Sequence, residues 1–209
     1  MNFVNRARDV LTKPSIYFKN IQKENGIKNA LIYYALLSLL FIILASVAGY
    51  FAKNFYLRFY SIIGLDSISA FTRSSYATTS IFSILKFNLI LYPFILGLSF
   101  LWAAILHVWI LLFNGKQSYS KTYQLYVYTR TPKFVLGWIP VVNIFVGIYS
   151  LILLIYGTVE VHKIKFKTSV LMYVIPYVIL LLLGILMIVA SIAFLKTIST
   201  LNPAVLGAQ

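Results

Sequence analysis

Residues 174–195 read VIPYVILLLLGILMIVASIAFL, twenty-two positions without an Asp, Glu, Lys or Arg. A helix rises about 1.5 Å per residue, so about 20 apolar residues cross a hydrocarbon core of about 30 Å. A surface helix of a soluble protein keeps one polar face, and this stretch has none. It does not alternate either, which excludes a barrel strand with a polar lumen side. The fold class therefore follows from this stretch: a membrane helix.

The same test succeeds three more times. Windows 29–52, 87–115 and 134–159 also lack all four charged residue types, as in LIYYALLSLLFIILASVAGYF at 31–51. The first window lies behind a polar head and carries no small-residue cleavage site, so it reads as a retained span rather than a signal peptide. The composition agrees. Counting glycine and leaving out tyrosine, about 58% of residues are apolar, against about 45–50% in soluble domains. Charged residues make up 11%, against about 25%. With no cysteine, disulfides, thiolate metal sites and a cysteine nucleophile are excluded.

The charge is lopsided, with 18 Lys+Arg against 4 Asp+Glu, a net of +14. Nucleic acid is one reading of such an excess. Lys and Arg also collect at the cytosolic ends of spans. The stretch 119–136, YSKTYQLYVYTRTPKFVL, is moderately apolar and carries Lys121, Arg130 and Lys133. If it spans, eleven bases fall on the N-terminal side: Arg6, Arg8, Lys13, Lys19, Lys23, Lys28, Lys116, Lys121, Lys163, Lys165 and Lys167. Five fall on the other side, and four spans alone separate the charges less well. The expectation is an all-α, polytopic bundle of five transmembrane helices at about 27–52, 87–113, 119–136, 141–159 and 169–195. Residues 1–26 form a cytosolic amphipathic head, 27–195 a single membrane domain, and 196–209 a short external tail. The default counter-charge is anionic lipid at the cytosolic face, and no nucleic acid is expected.

In the head, Phe3, Val4, Ala7, Val10 and Leu11 share one helical face, and Pro14 breaks or restarts the helix. Such a helix either lies on the membrane surface or packs against its own bundle. The loop after the first span is expected to carry a short helix at about 62–71.

Polar groups at membrane depth are costly, which makes them the first candidates for function. On a helix, Tyr119, Tyr123, Tyr126, Arg130 and Lys133 form one stripe, with Asn143 near the start of the next span. This stripe could line an ion or substrate path, or Arg130 and Lys133 could snorkel and bond to carbonyls or to Asn143. A second candidate cluster, at the inner side, is His107, Glu160, His162 and Lys121. There Glu160 would pair with Lys121 or bond to His107. No enzyme is expected. A zinc site needs three ligands, and Glu160 and His162, two apart, point about 160° away from each other. No His-Glu-x-x-His, G-x-S-x-G or Gly-rich phosphate loop occurs. Neither metal nor cofactor is expected.

Three stretches carry a resemblance: KPSIYFKNIQKENGIKNALIYY at 13–34, ILHVWILLFNGKQSYSKTYQLYVYTRTPKF at 105–134 and IPVVNIFVGIYSLILLIYGTVEVHKIKFKTS at 139–169. Over about residues 10–190 the chain resembles the Yip family of Ypt/Rab-interacting membrane proteins. The matching positions are Pro14, His107, Gly115, Pro132, Pro140, Gly157, Glu160 and His162. The resemblance implies five spans, a cytosolic N-terminus and an external or luminal C-terminus. Eukaryotic members look like organisers of vesicle membranes that bind prenylated GTPases through a long N-terminal region. Here the head has only about 26 residues, a departure from that pattern. The expected function is non-enzymatic membrane organisation or partner binding through the bundle and its basic face. The expected partner is a membrane protein or a second copy of the chain. The alternative is a small transporter or channel using the polar stripe. The lack of cysteine and the Lys/Ile/Tyr-rich usage suit a prokaryotic member, which would place it in the plasma membrane.

Overall fold

The structure, a computed structural model, describes residues 2–62, 80–139 and 141–201, and among these every regular element is helical. Two short helices open the chain, α1 (Phe3–Thr12) and α2 (Pro14–Asn20). Pro14 takes the first position of α2, where its missing N–H costs nothing. A single 3₁₀ turn (Ile21–Lys23) follows, and Gly26, at φ 68°, makes the left-handed bend into α3 (Lys28–Ile62). The next helix, α4 (Ile81–Leu112), begins on a cap, with Ser83 N–H donating to Ser80 Oγ at 3.2 Å. Beyond it lie α5 (Tyr119–Thr129), α6 (Thr131–Leu136), α7 (Val142–His162) and α8 (Phe166–Leu201).

Four of these helices are long and apolar enough to cross a bilayer, over Lys28–Phe55, Ile81–Leu112, Phe145–His162 and Phe166–Phe194. They correspond to the four charge-free windows, and α3, α4 and α8 each run several residues beyond the expected limits. The stretch 119–136 differs from the expectation. It is two helices of 11 and 6 residues jointed at Arg130, not one continuous span. Pro132, in the first turn of α6, has no N–H to continue the ladder of α5. Eleven residues rise only about 16 Å, roughly half of a hydrocarbon core.

In place of a long helix, the segment forms the centre of the fold. Every residue from Thr122 to Thr129 is buried. Helix α5 packs on α3, α4 and α7, while α6 packs on α3 and α7. The head is continuous with this core rather than a separate layer. Val10 and Phe18 are fully buried, Ile21 nearly so, and α2 lies against α7. Head residues before position 26 are thus packed against the membrane helices. The far half of α8 is the opposite case. From Ile179 to Val189 its large apolar side chains are half to two-thirds exposed on all sides, the surface of a helix solvated by lipid. Pro140, the expected helix at about 62–71 and most of the tail at 196–209 lie outside the described residues.

Candidate functional site

Three faces of α5 reach three different neighbours. The first is polar and grips the head. Lys121, Gln124 and Tyr128 are spaced i, i+3, i+7, so they share one side of the helix. Lys121 Nζ donates to the carbonyls of Ile21 (2.8 Å), Gln22 (3.1 Å) and Glu24 (2.5 Å). Gln124 Nε2 donates to the Glu24 (3.1 Å) and Gly26 (2.6 Å) carbonyls. Tyr128 Oη donates to the Glu24 carboxylate at 2.9–3.0 Å and accepts from Arg6 Nη1 at 2.6 Å. Arg6 also lies 3.6 Å from Glu24, and its guanidinium stands over the Tyr33 and Tyr128 rings. Tyr17 packs edge-on to Tyr128 with centroids 5.2 Å apart. Burial, with the neighbouring Tyr128, pushes the Tyr17 phenol far above its ordinary pKa, so it stays neutral. The Ile21 carbonyl also closes the 3₁₀ turn by accepting from the Glu24 N–H at 3.0 Å, and Lys121 and Gln124 supply donors to the Gln22, Glu24 and Gly26 carbonyls around it.

The second face carries one residue, Thr122, fully buried. Its Oγ1 lies 2.8 Å from His107 Nδ1 on α4 and 3.1 Å from His162 Nε2 on α7. The single hydroxyl proton can go to at most one of the two rings, so at least one imidazole must donate its N–H to Thr122, which couples their tautomers. His162 is fully buried and its Nδ1 has no partner. Gly115, in the α4–α5 turn, makes this approach possible. A Cβ there would sit 2.4 Å from Ile110 Cγ2 and 3.2 Å from His162 Nδ1.

The third face holds the tyrosines. Tyr119 Oη donates to the Phe100 carbonyl at 2.9 Å, and Tyr123 Oη lies 3.1 Å from Ser99 Oγ with its ring stacked on Phe100 at 4.8 Å. Tyr126 packs on Tyr34. Gly157 on α7 closes the core from below, since its absent Cβ would stand 2.3 Å from Leu125 and 3.2 Å from Phe18.

The structure therefore joins His107 and His162 through Thr122 and places their supposed companions elsewhere. The Glu160 carboxylate lies 3.9 Å from Lys163, and the Glu160 carbonyl accepts from Gln22 Nε2 at 2.7 Å. Lys121 binds backbone carbonyls of the head, not Glu160. Of the stripe, Tyr119, Tyr123 and Tyr126 are packed side chains, and Arg130 stands over the Tyr126 ring at 4.9 Å. Lys133 and Asn143 are exposed, with Asn143 turned toward the Gly137 bend. Pro14 starts α2, Pro132 starts α6, and Gly115 and Gly157 allow close approaches. No group of three or more His, Asp or Glu able to hold a metal occurs among the described residues.

Five participants escaped the sequence reading: Arg6, Glu24, Thr122, Gln124 and Tyr128. A signal existed for two of them. The periodicity that singled out the tyrosine stripe also places Gln124 and Tyr128 beside Lys121. The contribution of Lys121 is measurable. Lys121→Met keeps the stem and removes the charged donor, with an expected loss of about 1.5–3 kcal/mol. Thermal unfolding of the purified protein in detergent checks it, with exposed Lys116→Met as the control near zero.

A family model described as the Yip1 domain matches residues 8–188. No curated protein and no solved structure matches the chain.

Proposed function

This chain belongs to the Yip1 domain family, and from that premise we propose that it is a non-enzymatic multi-pass membrane protein that organises membranes or binds a partner through a basic end of its bundle. One observation carries the reading: the polar interior is spent on holding the fold together, while exposed bases, of which Lys163 pairs with Glu160, gather at one end. Lys163 and Lys165 in the α7–α8 turn and Lys167 at the start of α8 are exposed, as are Lys116 in the α4–α5 turn and Lys13, Lys19 and Lys23 in the head. These three regions adjoin. Gly115 abuts His162, and Gln22 bonds to Glu160. A cleft of about 440 Å³ between α1 and α2 continues the face, lined by Arg6, Arg8 and Lys13 with Asp9 and Glu24. Positive charge concentrated at one end suits the cytosolic side, an acidic partner surface and anionic headgroups.

Crosslinking in native membranes followed by mass spectrometry tests this. The expected result is a defined protein partner at the basic end that is lost when K163E, K165E and K167E are combined in a protein that still folds. Self-contacts alone, unchanged by the charge reversal, contradict it. So does solute or ion flux into liposomes that disappears in R130A, which belongs to a transporter.

A further inference from the structure

Arg130 lies in an unusual place for a cation. It sits at the joint between α5 and α6, in a cleft of about 630 Å³ whose walls include Trp102, Ile105 and Trp109 of α4, Tyr126 of α5, Leu154 of α7 and Tyr173 of α8. The cleft opens sideways, where Trp102, Ile105, Val108 and Leu112 are each more than half exposed on the face of a membrane helix. From Trp102 to Leu112 its wall runs about 15 Å along α4, about half of a hydrocarbon core.

The guanidinium stacks on Tyr126 but has no carboxylate or carbonyl partner among the described residues. Each described acid is engaged elsewhere: Asp9 with Arg8 at 3.3 Å, Glu24 with Arg6 and Tyr128, Glu160 with Lys163. Lys133, three residues on, adds a like charge rather than a counter-charge. A cation among membrane helices without an internal partner is costly, and drawing in lipid headgroups or water lowers that cost. An Arg fork matches phosphate oxygens in pairs, while Trp and Leu walls match acyl chains. The cleft has the size and largely apolar lining of an ordinary ligand site.

We infer that this cleft is a binding site for an acidic phospholipid, its phosphate on Arg130 and an acyl chain along the Trp102–Leu112 wall. The lipid supplies the counter-charge that the chain lacks and fills the gap that α4 leaves beside α7 and α8.

The walls contain their own probe. Trp102 and Trp109 are two of the three tryptophans, and bromine on an acyl chain quenches indole fluorescence at contact. The full chain is placed in phosphatidylcholine nanodiscs with a few mol% of brominated phosphatidylglycerol or brominated phosphatidylcholine. Quenching by the acidic lipid is expected to exceed that by the zwitterionic one about fivefold at equal mole fraction. R130Q removes the difference and R130K keeps part of it, with helical content by circular dichroism unchanged. Equal quenching by the two lipids overturns the inference, as does a preference that survives R130Q. Loss of the preference on adding millimolar inorganic phosphate also overturns it, because the site would then take a soluble anion. Should R130Q not fold, R130K, which keeps the charge but not the fork, takes its place, and a preference undiminished in R130K overturns the inference.

Discussion

Replacing Phe18 with alanine is expected to destabilise the protein by about 3–5 kcal/mol, the cost of emptying a fully buried aromatic position. Phe18 is 0% exposed, and its ring lies where a side chain at Gly157 would otherwise be. Leu125, its other neighbour, is fixed between α5 and α7, so the cavity has little room to collapse. The loss reaches beyond packing. The ring anchors α2, and α2 positions the 3₁₀ turn whose carbonyls Lys121 binds. For a chain of this size the unfolding midpoint should fall on the order of 10 °C. Trypsin should also cut faster at exposed Lys19 and Lys23 in the variant, because the head loosens before the bundle melts. Ser15→Ala, on the exposed side of α2, is the control. A midpoint shift below about 1 °C in Phe18→Ala would show that the head adds nothing to the core.

Thr122→Val should cost about 2–4 kcal/mol, since it keeps the shape and leaves two imidazole nitrogens without their shared hydroxyl. His162 is fully enclosed and already has one unpartnered nitrogen, so it gains no water in exchange. Thr122→Ser retains the hydroxyl and should recover most of the loss, apart from one missing methyl. Imidazole nitrogen NMR of the labelled protein reads the same event: the tautomers of His107 and His162 are linked in the wild type and in Thr122→Ser, and unlinked in Thr122→Val. If Thr122→Val melted with the wild type, the bridge would have no structural role.

Different kinds of information in the chain explain what was legible. The four long helices could be read directly, because lipid demands unbroken apolar runs and the demand is local to each run. Gly115 and Gly157 could be singled out through the family pattern, yet what they approach, Ile110, His162, Leu125 and Phe18, could not. Residues 119–136 show what pattern alone leaves open. Their length and moderate hydropathy fit a span, whereas Pro132 and the polar side of α5 divide them into two short helices. The expected pairing of Glu160 with Lys121 rested on opposite charge alone. Lys121 meets two carbonyls of the 3₁₀ turn and that of Glu24 just after it instead, partners that composition cannot reveal because every residue has a carbonyl.

By itself, then, the sequence determined a helical membrane protein, its four long helices and the basic side of its charge. Each of these reflects how one segment meets its solvent, lipid or water. Only the tertiary structure decided that the head belongs to the core, that α5 is the hub, and that Thr122 joins His107 to His162 across 15 and 40 residues of chain. Helices that are apolar all round carry almost no signal of which side faces which neighbour. That choice is made by the close approaches at Gly115 and Gly157 and by a few interior hydrogen bonds, and these exist only once the helices have met.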